Sequence, residues 1–186
     1  MNPLLLNFDE TILTERLLMR PPRVGDGQMI YEATRESLPE LMRWMDWAHE
    51  AITPEESELY ARMSAAKFVM REELPLLMFN RETGRFLGGT GYHTIDWYVP
   101  KLEIGYWLRT SETGKGYMTE AVNKLTQYAL ETFDAKRVDI RCDAENKASA
   151  AVAERCGYTL EGRLRHHRRN TSGQWADTLV YGFIPS

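Results

Sequence analysis

Residues 101–133 have the sequence KLEIGYWLRTSETGKGYMTEAVNKLTQYALETF and contain a strand, a loop and a helix in immediate succession. The loop carries Gly114 and Gly116, and the helix that follows has an apolar stripe at helical spacing. The first turn of a helix has backbone N–H groups without partners, and the helix dipole adds positive potential there. Glycines let the preceding loop direct more N–H groups at the same point. This joint therefore predicts a site for a phosphate or a pyrophosphate.

Two common phosphate-binding motifs do not fit this loop. A mononucleotide P-loop requires G-x-x-x-x-G-K-[ST], but Lys115 is followed by Gly116, and Arg109 stands where the upstream glycine belongs. The dinucleotide pattern G-x-G-x-x-G needs a glycine at the position of Thr119. The loop therefore belongs to neither of these classes of phosphate site.

The loop resembles the coenzyme A loop of the GNAT superfamily of N-acetyltransferases, which has the pattern Q/R-x-x-G-x-G/A and opens a helix after the fourth strand. Residues 113–118, TGKGYM, carry the central glycine at Gly116, whereas Thr113 replaces Gln or Arg and Met118 replaces the last small residue. Backbone amides supply most of this kind of binding, so the two substitutions do not remove the predicted site.

Three more segments resemble the RimJ/RimL-type branch of that superfamily. They are EIGYWL at 103–108, GYMTEA at 116–121, and residues 146–158, which match N-x-x-S-x-x-V-x-x-x-x-G-[FY]. The resemblance implies an α+β fold with an α/β/α arrangement, in which helices flank a mixed, mostly antiparallel sheet of about seven strands. It also implies that strands 4 and 5 splay apart and that residues 1–186 form a single acetyltransferase domain.

Periodicity, turn residues and helix caps predict the remaining elements. We expect a first strand at 12–20, short helices at 23–35 and 37–44, a helix from Thr53 to about 72, a hairpin of 74–80 and 85–96, a strand at 137–143, a short helix at 148–156, and a final hairpin of 158–169 and 175–183. Alternation in the strand before the loop places Glu103, Gly105 and Trp107 on one face.

Composition and charge narrow the function classes. The chain has 186 residues, two cysteines without a spacing motif and a net charge of −4. The start MNPLLLNFDE lacks the features of a signal peptide and no apolar run is long enough for a bilayer, so we expect a cytoplasmic protein without a membrane partner. Residues 1–100 carry a net charge of −6 and the remainder +2, which predicts no direct nucleic-acid binding. This asymmetry suits an anionic cofactor in the second half, although an uneven solvated surface explains it equally well.

The resemblance implies acetyl-CoA as co-substrate and no metal. Its pantetheine arm is expected between the splayed strands, along the backbone of Tyr106, Trp107 and Leu108. Its pyrophosphate is expected on the amides of Gly114, Lys115, Gly116, Tyr117 and Met118, with the Lys115 ammonium as an auxiliary charge. Asn146 and Ser149 are expected on the other side of the arm.

The resemblance also implies the catalytic groups. Glu103 is expected to be the general base, acting through water, although an exposed strand carboxylate or a partner for an arginine fits the same position. Ser149 is expected to stabilise the departing thiolate, because Ala153 stands where many members have a tyrosine. Tyr158 is interpreted as a packing residue. His93 is a possible base or an ordinary strand histidine.

The aromatic segment around Trp44 and Trp47 has two interpretations. Both side chains are either plain core residues or walls of the acceptor cleft, as in the resembled branch. As cleft walls they would hold the apolar part of a peptide terminus, while Asp46 and Glu50 face its ammonium.

The leading hypothesis is an N-acetyltransferase that acts by direct attack in a ternary complex on the N-terminal α-amine of a protein or peptide. An amine with a pKa of about 8 is roughly one-tenth neutral at pH 7, whereas a lysine of pKa about 10.4 is neutral only a few times in about ten thousand. Acetylation of a small amine-bearing metabolite, antibiotic or toxin is one alternative, and a non-catalytic acyl-CoA sensor is another. The protein is expected to be a monomer or a homodimer.

Overall fold

A computed structural model describes residues 2–185 of the chain. In order along the sequence, the described elements are β1 Ile12–Leu13, β2 Leu17–Arg20, α1 Gly27–Trp44, α2 Pro54–Met70, β3 Leu74–Asn80, β4 Phe86–Asp96, β5 Lys101–Leu108, α3 Tyr117–Phe133, β6 Arg137–Asp143, α4 Lys147–Arg155, β7 Thr159–Arg169 and β8 Trp175–Phe183. Single 3₁₀ turns cover Pro3–Leu5 and Thr110–Glu112. None of the helices in the described range is long and apolar enough to cross a membrane.

The strands form one sheet in the order β1-β2-β3-β4-β5-β6-β8-β7. Every neighbouring pair is antiparallel except β5 and β6, which are parallel. Helices α1 and α2 pack on one face, with Ile30 and Ala61 against Leu77, and α3 packs on the other, with Leu125 among Leu76 and its neighbours. The mixed, mostly antiparallel α+β fold is confirmed, with eight strands where about seven were expected.

The expected single strand at 12–20 is wrong, because β1 and β2 form a tight hairpin there. Thr14 closes the turn: its backbone N–H donates to the Leu17 carbonyl at 3.0 Å, and its hydroxyl accepts from the Leu17 N–H at 2.9 Å. Arg16 lies in this turn and is exposed.

The two short helices expected at 23–35 and 37–44 are also wrong, because α1 is continuous through Pro39. Proline removes one hydrogen bond from a helix interior. Here an unbroken buried stripe that includes Ile30, Ala33, Leu38 and Leu41 holds the helix on the sheet despite that loss. The segment around Trp44 and Trp47 therefore lies at the C-terminal end of one continuous helix.

Strands β5 and β6 separate, as expected for the fourth and fifth strands. Their pairing covers only residues 101–103 of β5, and the last pair is Glu103 with Asp139. From Ile104 onward the β6 side of β5 has no strand partner among residues 2–185. We call this opening between the two strands the gap.

Helix α3 fixes the glycine loop, residues 113–116, relative to the gap. Its stripe is buried as predicted, with Met118, Ala121, Val122, Leu125, Tyr128 and Ala129 all in the core. The start of α3 cannot move without exposing this stripe.

Candidate active site

The glycine loop turns into α3 through two left-handed residues. Gly114 has φ +75° and Gly116 has φ +81°, a region in which side chains other than glycine are strained. The backbone N–H groups of residues 114–119 have no hydrogen-bond acceptor within the part of the chain that the structure describes. These amides converge where the α3 dipole is positive, which is the arrangement that binds phosphate oxygens.

Arg16 supports the loop from the β1–β2 turn. Its Nη1 donates to the Lys115 carbonyl at 2.9 Å, its Nε lies 2.7 Å from the Glu120 carboxylate, and its guanidinium lies 4.7 Å from the centroid of the Tyr117 ring. Arg16 thus binds the Lys115 carbonyl and leaves the backbone N–H groups of the loop free to bind a ligand. Sequence reasoning missed this role because Arg16 is far from the loop in the chain.

Lys115, expected as an auxiliary charge for pyrophosphate, is engaged by a neighbour. Its Nζ lies 2.9 Å from the carboxylate of Glu112, which is buried and also lies 3.2 Å from Arg85. The side chains of Tyr117 and Met118 also have partners within the protein. The Tyr117 hydroxyl accepts a hydrogen bond from Asn80 of β3, and Met118 lies in the core. These residues offer mainly their backbone amides to a ligand.

The gap edge of β5 carries free backbone groups. Arg109 N–H donates to the Leu87 carbonyl of β4 at 2.7 Å, so by strand alternation the backbone of Trp107 also faces β4. The N–H and C=O groups of Tyr106 and Leu108 therefore face the gap. Two of the three residues expected along the pantetheine arm present their backbone there.

Ser149 and Tyr106 meet across the gap. The Ser149 hydroxyl donates to the Tyr106 hydroxyl at 3.0 Å, and the Tyr106 hydroxyl donates to the Ser149 carbonyl at 3.1 Å. Burial raises the pKa of Tyr106 well above its usual value, so its hydroxyl stays protonated. Asn146, expected to face the pantetheine arm, caps α4 by accepting from the Ser149 N–H at 3.1 Å and thereby fixes Ser149.

A cavity of about 1070 Å³ connects the gap to the α1/α2 face of the sheet. Its lining includes five predicted residues of this region together with both tryptophans: Glu103, Tyr106, Trp107, Asn146, Ser149, Trp44 and Trp47. The N–H cluster of the glycine loop lies outside this lining, where a second, open groove of about 740 Å³ touches Gly116, Arg16 and Arg155. An elongated ligand can thus have its anionic end at the loop and its other end in the cavity.

Glu103 lies on the cavity wall and has the arginine partner that its sequence position allowed. The Arg141 Nε lies 3.3 Å from its carboxylate. Burial raises the pKa of Glu103, Arg141 opposes that shift, and nearby Asp139 reinforces it. A carboxylate with a raised pKa, next to a cavity, is suited to accept a proton.

Neither Trp44 nor Trp47 is buried in the core. Trp47 is 44% exposed and packs edge-on against Trp107, with ring centroids 5.9 Å apart. The Trp107 indole also lies against Gly89, where a Cβ would come within 2.7 Å of Nε1. Trp107, expected along the pantetheine arm, therefore packs its side chain against Trp47 and Gly89. Trp44 donates from Nε1 to Glu40 at 3.0 Å and is held on its own helix.

The residues present fit acetyl-CoA: free amides at the loop, a free strand edge in the gap, and a cavity beyond it. Within residues 2–185 no cluster of three or more His, Cys, Asp or Glu side chains is arranged to hold a metal ion.

Comparisons with known proteins agree with this geometry. A family described as "Acetyltransferase (GNAT) domain" matches residues 16–159. The ribosomal-protein-serine acetyltransferase of Escherichia coli (strain K12) is 33% identical over 79 residues, which make up 42% of this chain and 44% of that protein.

Two solved structures have the same fold. The microcin C7 self-immunity acetyltransferase MccE, in complex with acetyl-CoA and AMP, has a TM-score of 0.86 and 26% identity over 92% of this chain and 94% of that one. RimL, the ribosomal L7/L12 α-N-protein acetyltransferase in complex with coenzyme A, has a TM-score of 0.88 and 24% identity over 94% and 98% of the two chains. The chain therefore belongs to the GNAT family of N-acetyltransferases, in its RimJ/RimL-type branch, with acetyl-CoA as co-substrate.

Proposed function

We propose that the protein acetylates the N-terminal α-amine of a protein or peptide by direct attack in a ternary complex. The observation that carries this proposal is the single cavity that runs from the gap, beside Ser149, to the aromatic wall at Trp47, with Glu103 between them. A peptide terminus needs an opening for its chain, an apolar wall and an anionic group for its ammonium, and the cavity offers all three.

Coenzyme binding is assigned to backbone groups. The amides of residues 114–118 bind the pyrophosphate, and the gap-facing backbone of Tyr106 and Leu108 pairs with the pantetheine arm. An N–H of this strand edge polarises the thioester oxygen as negative charge develops on it. Because β5 is held by β4 on its other edge, this donor is already in position before the reaction.

Glu103 is assigned as the base for the acceptor. Its carboxylate takes a proton from the ammonium, and the neutral amine that results attacks the thioester carbon. The ammonium loses two protons in the overall reaction: in net terms one ends on the coenzyme thiol and the other in solvent.

Ser149 is assigned to the departing thiolate. The Ser149 hydroxyl can turn from Tyr106 to donate a hydrogen bond to the sulfur. The protonated Tyr106 hydroxyl can then donate to Ser149 Oγ. We expect Ser149→Ala to lower kcat about 10- to 100-fold, because one hydrogen bond to a charged group is worth about 1.5–3 kcal/mol. Steady-state thiol release checks the rate, and calorimetric titration should show unchanged acetyl-CoA affinity. An unchanged kcat would remove Ser149 from the mechanism.

Trp47 is assigned to the acceptor peptide. Trp47→Ala is expected to raise the peptide KM about 2- to 10-fold with little change in kcat, since aromatic contacts of this kind contribute about 0.5–1.5 kcal/mol. Trp175→Ala is the matched control, because Trp175 is 57% exposed but stacks on His166 outside the cavity lining. Equal effects of the two substitutions would contradict an acceptor role for Trp47.

A small amine-bearing acceptor is the second candidate. It is favoured by the likeness to MccE, which is described as a self-immunity acetyltransferase and was solved with AMP beside acetyl-CoA. The test is acetyl-CoA turnover against short peptides with different first residues and against several small amines. Turnover with peptides supports the proposed function. Turnover confined to small amines supports the second candidate, and binding of acetyl-CoA without turnover supports a sensor.

A further inference from the structure

A second titratable side chain, that of His93, lines the cavity that contains Glu103. His93 is on β4, where the register with β5 shifts between Tyr92 and Thr94. Such a bulge gives one strand an extra residue and redirects its side chain. His93 lines the same cavity as Glu103, and its side chain is 43% exposed.

The imidazole rests directly on a glycine of β5. A Cβ at Gly105 would come within 2.5 Å of His93 Cδ2 and 2.8 Å of its Nε2, so only glycine leaves room for the ring in this position. Gly105 and Glu103 are two residues apart on one face of the strand, a separation of about 7 Å. The imidazole at Gly105 and the Glu103 carboxylate therefore line the same cavity from neighbouring positions of one strand face, where an acceptor amine can reach both.

Burial favours the neutral form of His93, whereas two neighbours favour its protonated form. Burial lowers the pKa of His93, the Glu73 carboxylate opposes that shift, Lys67 of α2 reinforces it, and a hydrogen bond with the Gly105 backbone opposes it. Glu73 Oε2 lies 4.0 Å from Nδ1, which leaves Nε2 on the Gly105 side of the ring. Glu103 of β5 and its partner Arg141 of β6 line the same cavity.

We infer that His93 is a second catalytic base, which takes the second proton from the acceptor nitrogen after Glu103 has taken the first. Once the amine has attacked the thioester carbon, an N–H bond of the adduct breaks, its electron pair remains on nitrogen, and the proton binds Nε2. The imidazolium, stabilised by Glu73, then releases the proton to water through its exposed edge. This inference rests on the proposed function and deepens it.

The test compares His93→Gln with the wild-type enzyme on a peptide that the wild-type enzyme acetylates. We expect kcat to fall about 10- to 100-fold with unchanged acetyl-CoA affinity, and added imidazole to restore part of the rate. His167→Gln is the matched control, because His167 also lines the cavity but pairs with Thr178 at 3.1 Å. The control should retain its rate without an imidazole effect.

A second variant gives a readout that a structural role would not change. Glu73→Gln should move the acid limb of kcat/KM to lower pH, because the carboxylate that raises the pKa of His93 is lost while Lys67 remains. A full rate in His93→Gln, or an acid limb that does not move in Glu73→Gln, would overturn the role of His93. If the wild-type enzyme acetylates no peptide at all, the proposed function itself fails, and the two failures are thus distinguishable.

Discussion

Replacing Glu103 by glutamine is expected to lower kcat about 100- to 1000-fold and to leave acetyl-CoA affinity unchanged. General-base catalysis is commonly worth about 10²- to 10⁴-fold, and glutamine keeps the shape of the side chain while removing its charge and basicity. Single-turnover kinetics together with calorimetric titration of acetyl-CoA separate the two quantities.

The pH dependence of the wild-type enzyme provides a related check. As the assigned base, Glu103 must be ionised, so we expect activity to fall as the pH drops through its pKa, which burial raises above the ordinary value. This fall is separate from the acid limb that His93 sets, and Glu73→Gln should leave it unchanged. The same raised pKa means that the ionised group is less favourable in the folded state than in the unfolded one above both pKa values. Glu103→Gln should therefore be at least as stable as the wild-type protein at pH 7.5, so a lost rate cannot be attributed to unfolding. A variant with full activity would contradict the assignment of the base.

Gly116→Val is expected to weaken acetyl-CoA binding about 10- to 100-fold. A β-branched residue is strained at the observed φ of +81°, by about 1–3 kcal/mol, and a loop that relaxes this strain turns its amides away from the pyrophosphate. The measurement is the dissociation constant of acetyl-CoA by calorimetry.

The matched control for this substitution is Gly173→Val. Gly173 has φ +76° in the β7–β8 turn, with open space around it, so it should suffer a comparable loss of stability. Unlike Gly116, it is remote in sequence from the amides of α3. If both variants bind acetyl-CoA equally well, the glycine loop does not bind the coenzyme.

The features that local sequence determines were predicted correctly. The strand, loop and helix over residues 101–133 follow from alternation, two glycines and a helical stripe, all of which act over a few residues. The helix predicted to begin at Thr53 is also found: Thr53 is the N-cap of α2, and the structure adds both hydrogen bonds of a capping box with Glu56. Such signals need no information about distant partners.

Features that depend on distant packing were not predicted. Two short helices were expected over residues 23–44, but burial of Leu38 and Leu41 holds α1 as one helix and outweighs the hydrogen bond lost at Pro39. The contacts of Arg16 with Lys115 and of Tyr106 with Ser149 join residues far apart in the chain, and no spacing rule reveals them. Tertiary contacts of this kind decide which face of the site each side chain reaches.

The candidate site shows the same division. Among the backbone groups expected to bind coenzyme, the N–H groups of residues 114–118 and the gap-facing groups of Tyr106 and Leu108 have no partner within the described part of the chain, whereas the backbone of Trp107 pairs with β4. The positions of the side chains could be read only from the structure, in which Lys115 pairs with Glu112 and the Trp107 indole packs against Trp47. His93 was an open alternative in the sequence, because only the bulge and the contact with Gly105 bring it into the cavity.

The most direct measurement uses two peptides of one sequence, which differ only in whether the α-amine is free or blocked and which both contain an internal lysine. Incubation with acetyl-CoA and localisation of the acetyl group by fragment mass spectrometry reports which amine reacts. We predict acetylation of the free α-amine and no product from the blocked peptide. Acetylation of the lysine at equal rates in both peptides would contradict an α-amine acceptor in the cavity between Glu103 and Trp47.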